Sequence, residues 1–144
     1  MIKNIAAFKL DLKRFYEVVT PQNHLQLQIR IANKLQQGIV FKNSQMSNHP
    51  VDTGHARKNW SGSLGTPGTG VRGVYPGMGK SSNIAPFNFA ALFARARPFG
   101  IIWIYNNVKY IVALENGHSK QAPQGMVEGA LNDLQTFING GLKI

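Results

Sequence analysis

Ile101-Ile102-Trp103-Ile104-Tyr105-Asn106-Asn107-Val108-Lys109-Tyr110-Ile111-Val112-Ala113-Leu114-Glu115-Asn116-Gly117 holds two apolar runs of five residues separated by Asn-Asn-Val-Lys. The first run is rich in Ile, Trp and Tyr, the residues that fit a pleated surface. Asn106-Asn107 is a turn signal, and Tyr110 to Leu114 reads as the returning strand of an antiparallel hairpin. Both runs are apolar on both faces, which predicts central strands covered by helices. Asn116-Gly117 supplies the reversal that closes the second strand.

Helices flank this stretch on both sides. Downstream, residues 124–139 carry Met126 or Val127, Ala130, Leu131, Leu134 and Ile138 at helical spacing, and Gly140-Gly141 stop the helix. Upstream, Ile5, Phe8, Leu12, Phe15 and Val19 line one face of a helix over 5–19. Thr20-Pro21 then offers an N-cap and a first-turn proline. The second helix spans about 21–42, with Leu25, Ile29, Ala32, Leu35 and Ile39 inward and Gln22, Gln26, Gln36 and Gln37 on the wet side. Residues 43–50 form a loop. Asp52 is placed to cap a short helical turn through Arg57, and Trp60 to Leu64 reads as a strand.

Residues 65–86 differ in kind, with six Gly and three Pro in 22 residues. That composition has little to bury and costs much entropy to order, so it predicts a long flexible loop. Residues 87–97 suggest a short helix with Arg95 and Arg97 exposed. The order helices, strands, helix gives an α+β domain covering 1–144: a small antiparallel sheet packed between an N-terminal helical part (1–42) and a C-terminal helix.

The chain has 144 residues, 16 Lys and Arg against 6 Asp and Glu, and no cysteine. Disulfide frameworks, thiolate metal sites and a cysteine nucleophile are thereby excluded. No apolar run is long enough to span a bilayer. The charge is uneven. Residues 1–60 hold nine basic and three acidic residues, 61–100 hold Arg72, Lys80, Arg95 and Arg97 with no acid, and 101–144 are balanced. A net charge of +10 suggests a polyanionic neighbour, although no dense basic run exists.

Catalytic motifs fail on context. Asp52-Thr53-Gly54 matches the aspartic-protease triplet, but that chemistry needs two carboxylates sharing a proton. Gly68-Thr69-Gly70-Val71-Arg72-Gly73 matches the dinucleotide fingerprint, yet Tyr75-Pro76-Gly77 cannot start the helix that must follow. The spacing from Gly73 to Gly79-Lys80-Ser81 is one residue too long for a P-loop. His24, His49, His55 and His118 form no helical zinc pair. Asp52, Glu115 and His118 remain the one set that a small metal-dependent nuclease could use.

Two longer segments carry a resemblance. Pro50-Val51-Asp52-Thr53-Gly54-His55-Ala56-Arg57-Lys58-Asn59-Trp60 resembles the Pro-Val-Asp-Thr-Gly…Arg…Trp segment of phage tail-completion (neck, head–tail joining) proteins. Residues 106–127 are similar to that family's second signature: an Asn-rich turn, a Tyr strand, Leu-Glu-x-Gly-His-Ser, then Lys-Gln-Ala-Pro-x-Gly-Met. The resemblance covers roughly 20–135.

It implies a structural virion protein and no enzyme, with no cofactor. Such proteins form a homo-oligomeric ring, typically of six, between the head connector and the tail tube or tail terminator, around the DNA channel. The location implied is the virion neck, assembled in the host cytoplasm, with no membrane. The motif positions Asp52, Thr53, Gly54, Arg57, Trp60, Glu115, Gly117, His118, Ser119, Lys120, Gln121, Pro123 and Gly125 become candidates for subunit contact. The loop 118–121 is rich in donors and suits one of the two patches a head-to-tail ring requires. Arg72, Lys80, Arg95 and Arg97 become candidates for non-specific contact with channel DNA, or for docking on acidic partner proteins. A free nucleic-acid-binding module is the alternative function.

Overall fold

The computed structural model describes residues 21–46, 49 and 52–141. The helix expected over 5–19 lies outside them. The described chain is α+β, in the order α1 (Pro21–Val40), α2 (His55–Lys58), β1 (Ser61–Leu64), α3 (Phe89–Phe93), β2 (Ile102–Tyr105), α4 (Ile111–Glu115) and α5 (Val127–Asn139).

The decisive stretch folds differently from its pattern. β2 takes the first apolar run, but its partner is β1, about 40 residues upstream, in antiparallel register from Ser61↔Tyr105 to Leu64↔Ile102. The expected returning strand is instead α4. A five-residue apolar run cannot choose between strand and helix by periodicity, so tertiary structure decides. Asn106 does not turn a hairpin. Its Oδ1 accepts from Val108 N at 3.1 Å, and its Nδ2 donates to the Ala56 carbonyl at 2.8 Å. The chain is thereby turned away from β2. The sheet is also not doubly covered, since Trp103 is 38 % exposed.

α1 and α5 pack against each other because both are small where they cross. A Cβ on Gly38 would lie 2.9 Å from the Ala130 Cβ, inside normal contact. Asn43 locks the pair, its Nδ2 donating to the carbonyls of Gly38 (3.0 Å) and Met126 (2.9 Å). The first of these is an otherwise orphan carbonyl near the end of α1. Ser44 N donates to Asp133 Oδ2 at 2.8 Å. The inward face of α1 is rotated from expectation: Leu25, Ile29 and Leu35 are half-buried, while His24, Leu27 and Gln36 are buried.

The core gathers Ile39, Val40, Met46, Trp60, Leu92, Phe93, Ala122 and Met126. β1 meets α3 through Gly62, where any side chain would strike Leu92. Trp60 is buried, and its Nε1 donates to Nε2 of the fully buried His49 at 2.9 Å. Asn88 caps α3, accepting from Ala91 N at 3.0 Å.

Residues 65–86 contain no helix or strand, yet their base is fastened. Arg72 donates from Nη1 to the Lys58 carbonyl (2.9 Å) and from Nη2 to the Ala85 carbonyl (2.6 Å). Ser82 N donates to the Thr53 carbonyl at 2.8 Å. Between these two fastenings the tip leaves Val74 and Met78 89 % and 86 % exposed.

Candidate functional site

The two signature segments meet in space. A cleft of 820 Å³ has residues 52–56 on one side and 118–121 on another, with Val71, Gly73 and Tyr75 from the Gly-rich loop and Val108 to Tyr110 completing it.

The 52–56 wall is built by a cap, though not the expected one. Asp52 does not cap α2. Gly54 occupies the N-cap position at φ 75, a conformation that favours glycine. The hydroxyl of buried Thr53 accepts from His55 N at 3.1 Å. Asp52 stays exposed, and Tyr75 donates its hydroxyl to Asp52 Oδ2 at 3.4 Å. His55 is 3 % exposed, with its ring edge-on to Tyr75 at 5.9 Å. Tyr75 in turn meets Tyr110 at 6.2 Å. Burial, reinforced by Tyr75 and the Asp52 carboxylate, holds the Tyr110 phenol above its ordinary value, against an opposing backbone hydrogen bond at Ala56. Tyr110 therefore faces the cleft as a neutral hydroxyl at neutral pH.

The 118–121 wall is positioned by residues that never enter the cleft. Glu115 accepts from the backbone N–H groups of Met126 (2.7 Å), Val127 (2.9 Å) and Glu128 (3.1 Å). It is the missing N-cap of α5, whose own N-cap residue makes no side-chain bond. Gly125, at φ 81, passes against the Glu115 carbonyl and carboxylate where a Cβ would collide. Gly117, at φ 85, passes against the Pro123 carbonyl in the same way. Residues 115–126 thus form a closed loop, with His118, Ser119, Lys120 and Gln121 facing the cleft. His118 Nδ1 lies 2.9 Å from the Ala113 carbonyl, which orients the ring. Ser119 Oγ accepts from Gln121 N at 3.2 Å.

The remaining predicted residues lie elsewhere. Trp60 is in the core. The Arg57 guanidinium sits over the Phe41 ring at 5.0 Å. Arg72 is half-buried and turned onto carbonyls of its own chain. Lys80, Arg95 and Arg97 are exposed.

The Asp52, Glu115 and His118 set is not assembled as a metal site, because the Glu115 carboxylate is occupied by α5. Among the described residues no three His, Cys, Asp or Glu side chains group to hold a metal ion. Sequence reasoning missed His55, Tyr75, Lys109 and Tyr110 as cleft residues. The available signal was Tyr75 itself, an aromatic in a Gly-rich loop with nothing local to pack on. No helix of the described residues is long and apolar enough to cross a membrane. No protein-family model, curated protein or solved structure matches the chain.

Proposed function

We propose that this protein is a structural subunit of a tailed-phage neck, forming a ring between the head connector and the tail around the DNA channel. The observation that carries the reading is the convergence of the two signature segments, 52–56 and 118–121, on one cleft. They lie more than 60 residues apart in sequence. Residues brought together from such a distance, held by caps and glycine turns rather than by catalytic hydrogen bonds, suit a rigid docking face. The engagement of Glu115 as a helix cap argues against the nuclease alternative. The net charge of +10 suits contact with DNA phosphates or with acidic partners.

Sedimentation velocity of the purified 15.9 kDa chain, alone and with the products of adjacent genes, tests this. A closed ring of about six copies is expected, together with density for the chain at the neck of imaged particles. A monomer at every concentration that binds duplex DNA tightly and with steep salt dependence would favour the nucleic-acid-binding module instead.

A further inference from the structure

The cleft contains a hydrogen-bond donor that nothing satisfies. His55 is 3 % exposed, and its Nδ1 has no partner. Its Nε2 faces the Asn59 amide nitrogen at 3.3 Å. An amide nitrogen presents only hydrogens and cannot accept, so an Nε2–H facing it would be repelled; the neutral ring carries its proton on Nδ1, and Nε2 at most shares an Asn59 hydrogen already directed at a backbone carbonyl. The Asn59 orientation is fixed independently, since its Oδ1 accepts from Arg72 N and its Nδ2 donates to the His55 and Arg72 carbonyls. Buried donors without partners are rare in native proteins and call for one.

The charges around the cleft define that partner. Two cations, Lys109 and Lys120, line it against one carboxylate, Asp52, and Asp52 already accepts from Tyr75. Much of the remaining lining is apolar. A suitable occupant brings a negatively charged acceptor on an apolar body. The described residues of a second copy have little of this to offer: Glu115 caps α5, Ser44 holds Asp133, Asp52 lines the cleft itself, and Glu128 lies in the first turn of α5 with a partner of its own. The other two of the six acids, Asp11 and Glu17, lie outside the described residues and are varied in the test for that reason.

We propose that the cleft binds an acidic, apolar-anchored peptide segment of a different protein. One carboxylate accepts from His55 Nδ1–H and the neighbouring acids meet Lys109 and Lys120. Tyr75 is the cover over His55. It is 43 % exposed and lies edge-on to the His55 ring at 5.9 Å, so binding requires it to move aside for the carboxylate. The inference rests on the cleft being the docking face of a neck subunit and names the chemistry of what docks.

Panning the full-length chain against a display library of random dodecapeptides tests it. Selected peptides should be enriched in Asp and Glu beside Leu, Ile or Phe. Their affinity, read by fluorescence polarisation, should fall about tenfold in His55→Leu and further in Lys109→Glu/Lys120→Glu. His55→Leu also gives up the Nε2 contact with Asn59 and the ring contact with Tyr75, so its thermal midpoint is measured alongside the affinity, and the surface pair provides the arm that cannot unfold the core. Absence of enrichment, selected peptides without acids, or affinity indifferent to both variants would overturn the proposal. Displacement of the peptide by single-stranded oligothymidylate with the same dependence on the variants would assign the cleft to nucleic acid. Self-association abolished both by Lys120→Glu and by Asp11→Asn/Glu17→Gln would assign it to a second copy. Ring formation without acid-selective binding sinks this inference alone. Acid-selective binding by a chain that never forms a ring sinks the neck reading alone.

Discussion

Glu115 gives the sharpest test of how the second signature works. Its carboxylate accepts three backbone N–H groups in the first turn of α5, at 2.7 to 3.1 Å. An ordinary side-chain N-cap contributes about 1 kcal/mol. Here the acceptor is charged, partly buried, and aligned with the positive end of a 13-residue helix, which adds roughly 0.3–1 kcal/mol from the dipole. Glu115→Ala also leaves three donors unmatched beside the core residue Met126, so the expected loss is about 2–3 kcal/mol. Glu115→Gln keeps one acceptor oxygen and loses the charge, for an expected loss of about 1 kcal/mol. Urea denaturation at pH 7 should show the midpoint falling in that order with an unchanged slope. For a chain of this size the thermal midpoint should fall by roughly 5–10 °C in the alanine variant. Gly125→Ala should destabilise for a separate reason, since its Cβ meets Glu115 from a backbone at φ 81. If Glu115→Ala unfolds within about 0.5 kcal/mol of the parent, as a surface substitution would, the cap carries no stability and the account of the closed loop fails.

Arg72→Ala removes two charge-assisted bonds from the base of the Gly-rich loop, so a loss of about 1–3 kcal/mol is expected, and limited proteolysis within 73–81 should accelerate. Trp60→Phe keeps a smaller aromatic ring in the core and withdraws the donor from buried His49. A loss of about 1–3 kcal/mol in urea denaturation is expected, and an unchanged midpoint would show that His49 does not depend on it. Burial lowers the pKa of His24 below the ordinary histidine value of 6.5. The unfolded chain therefore binds the proton first, and stability from this group is present above pH 6.5 and lost as pH falls below it. The midpoint measured between pH 7.5 and 5 should drop less steeply in His24→Phe than in the parent, and parallel slopes would remove His24 from the acid response.

The parts of the fold legible in the sequence are those with long periodicity. α1 begins at Pro21, as a first-turn proline predicts, and α5 ends at the Gly140-Gly141 pair. What periodicity could not see was pairing across distance. Nothing local in Ile102 to Tyr105 reveals that its partner is Ser61 to Leu64, where Gly62 reads as a flaw until α3 is found against it. Tyr110 to Leu114 has strand composition, yet it is helical because Asn106 turns the chain and Glu115 must reach α5. Gln36 is buried although its pattern points to the wet side, because a glutamine in a stripe of glutamines carries no mark of its surroundings. At the site, 118–121 was legible as a donor-rich loop. His55 and Tyr75 were not, since one looked like part of a turn and the other like part of a structureless loop.

The second signature divides into two chemical jobs. Glu115, Gly117, Pro123 and Gly125 make contacts within their own loop or with the start of α5, and three of the four admit no larger or uncharged substitute without a collision or a lost cap. They fix where the loop stands. His118, Ser119, Lys120 and Gln121 lie between them and line the cleft with side chains that no core packing demands. They fix what the loop presents. A docking face built in this way can change its partner by altering the inner four residues while the outer four keep the geometry. It also explains why the pattern is long: closing a loop of this shape takes an acceptor at one end, a free helix N-terminus at the other, and two glycines where backbone meets backbone. The Asp52-Thr53-Gly54 segment repeats the same division on the opposite wall, with Thr53 and Gly54 setting the helix start and Asp52 left at the surface. Both halves of the cleft are therefore rigid supports carrying exposed polar groups, as expected of a surface whose task is to hold another molecule in register.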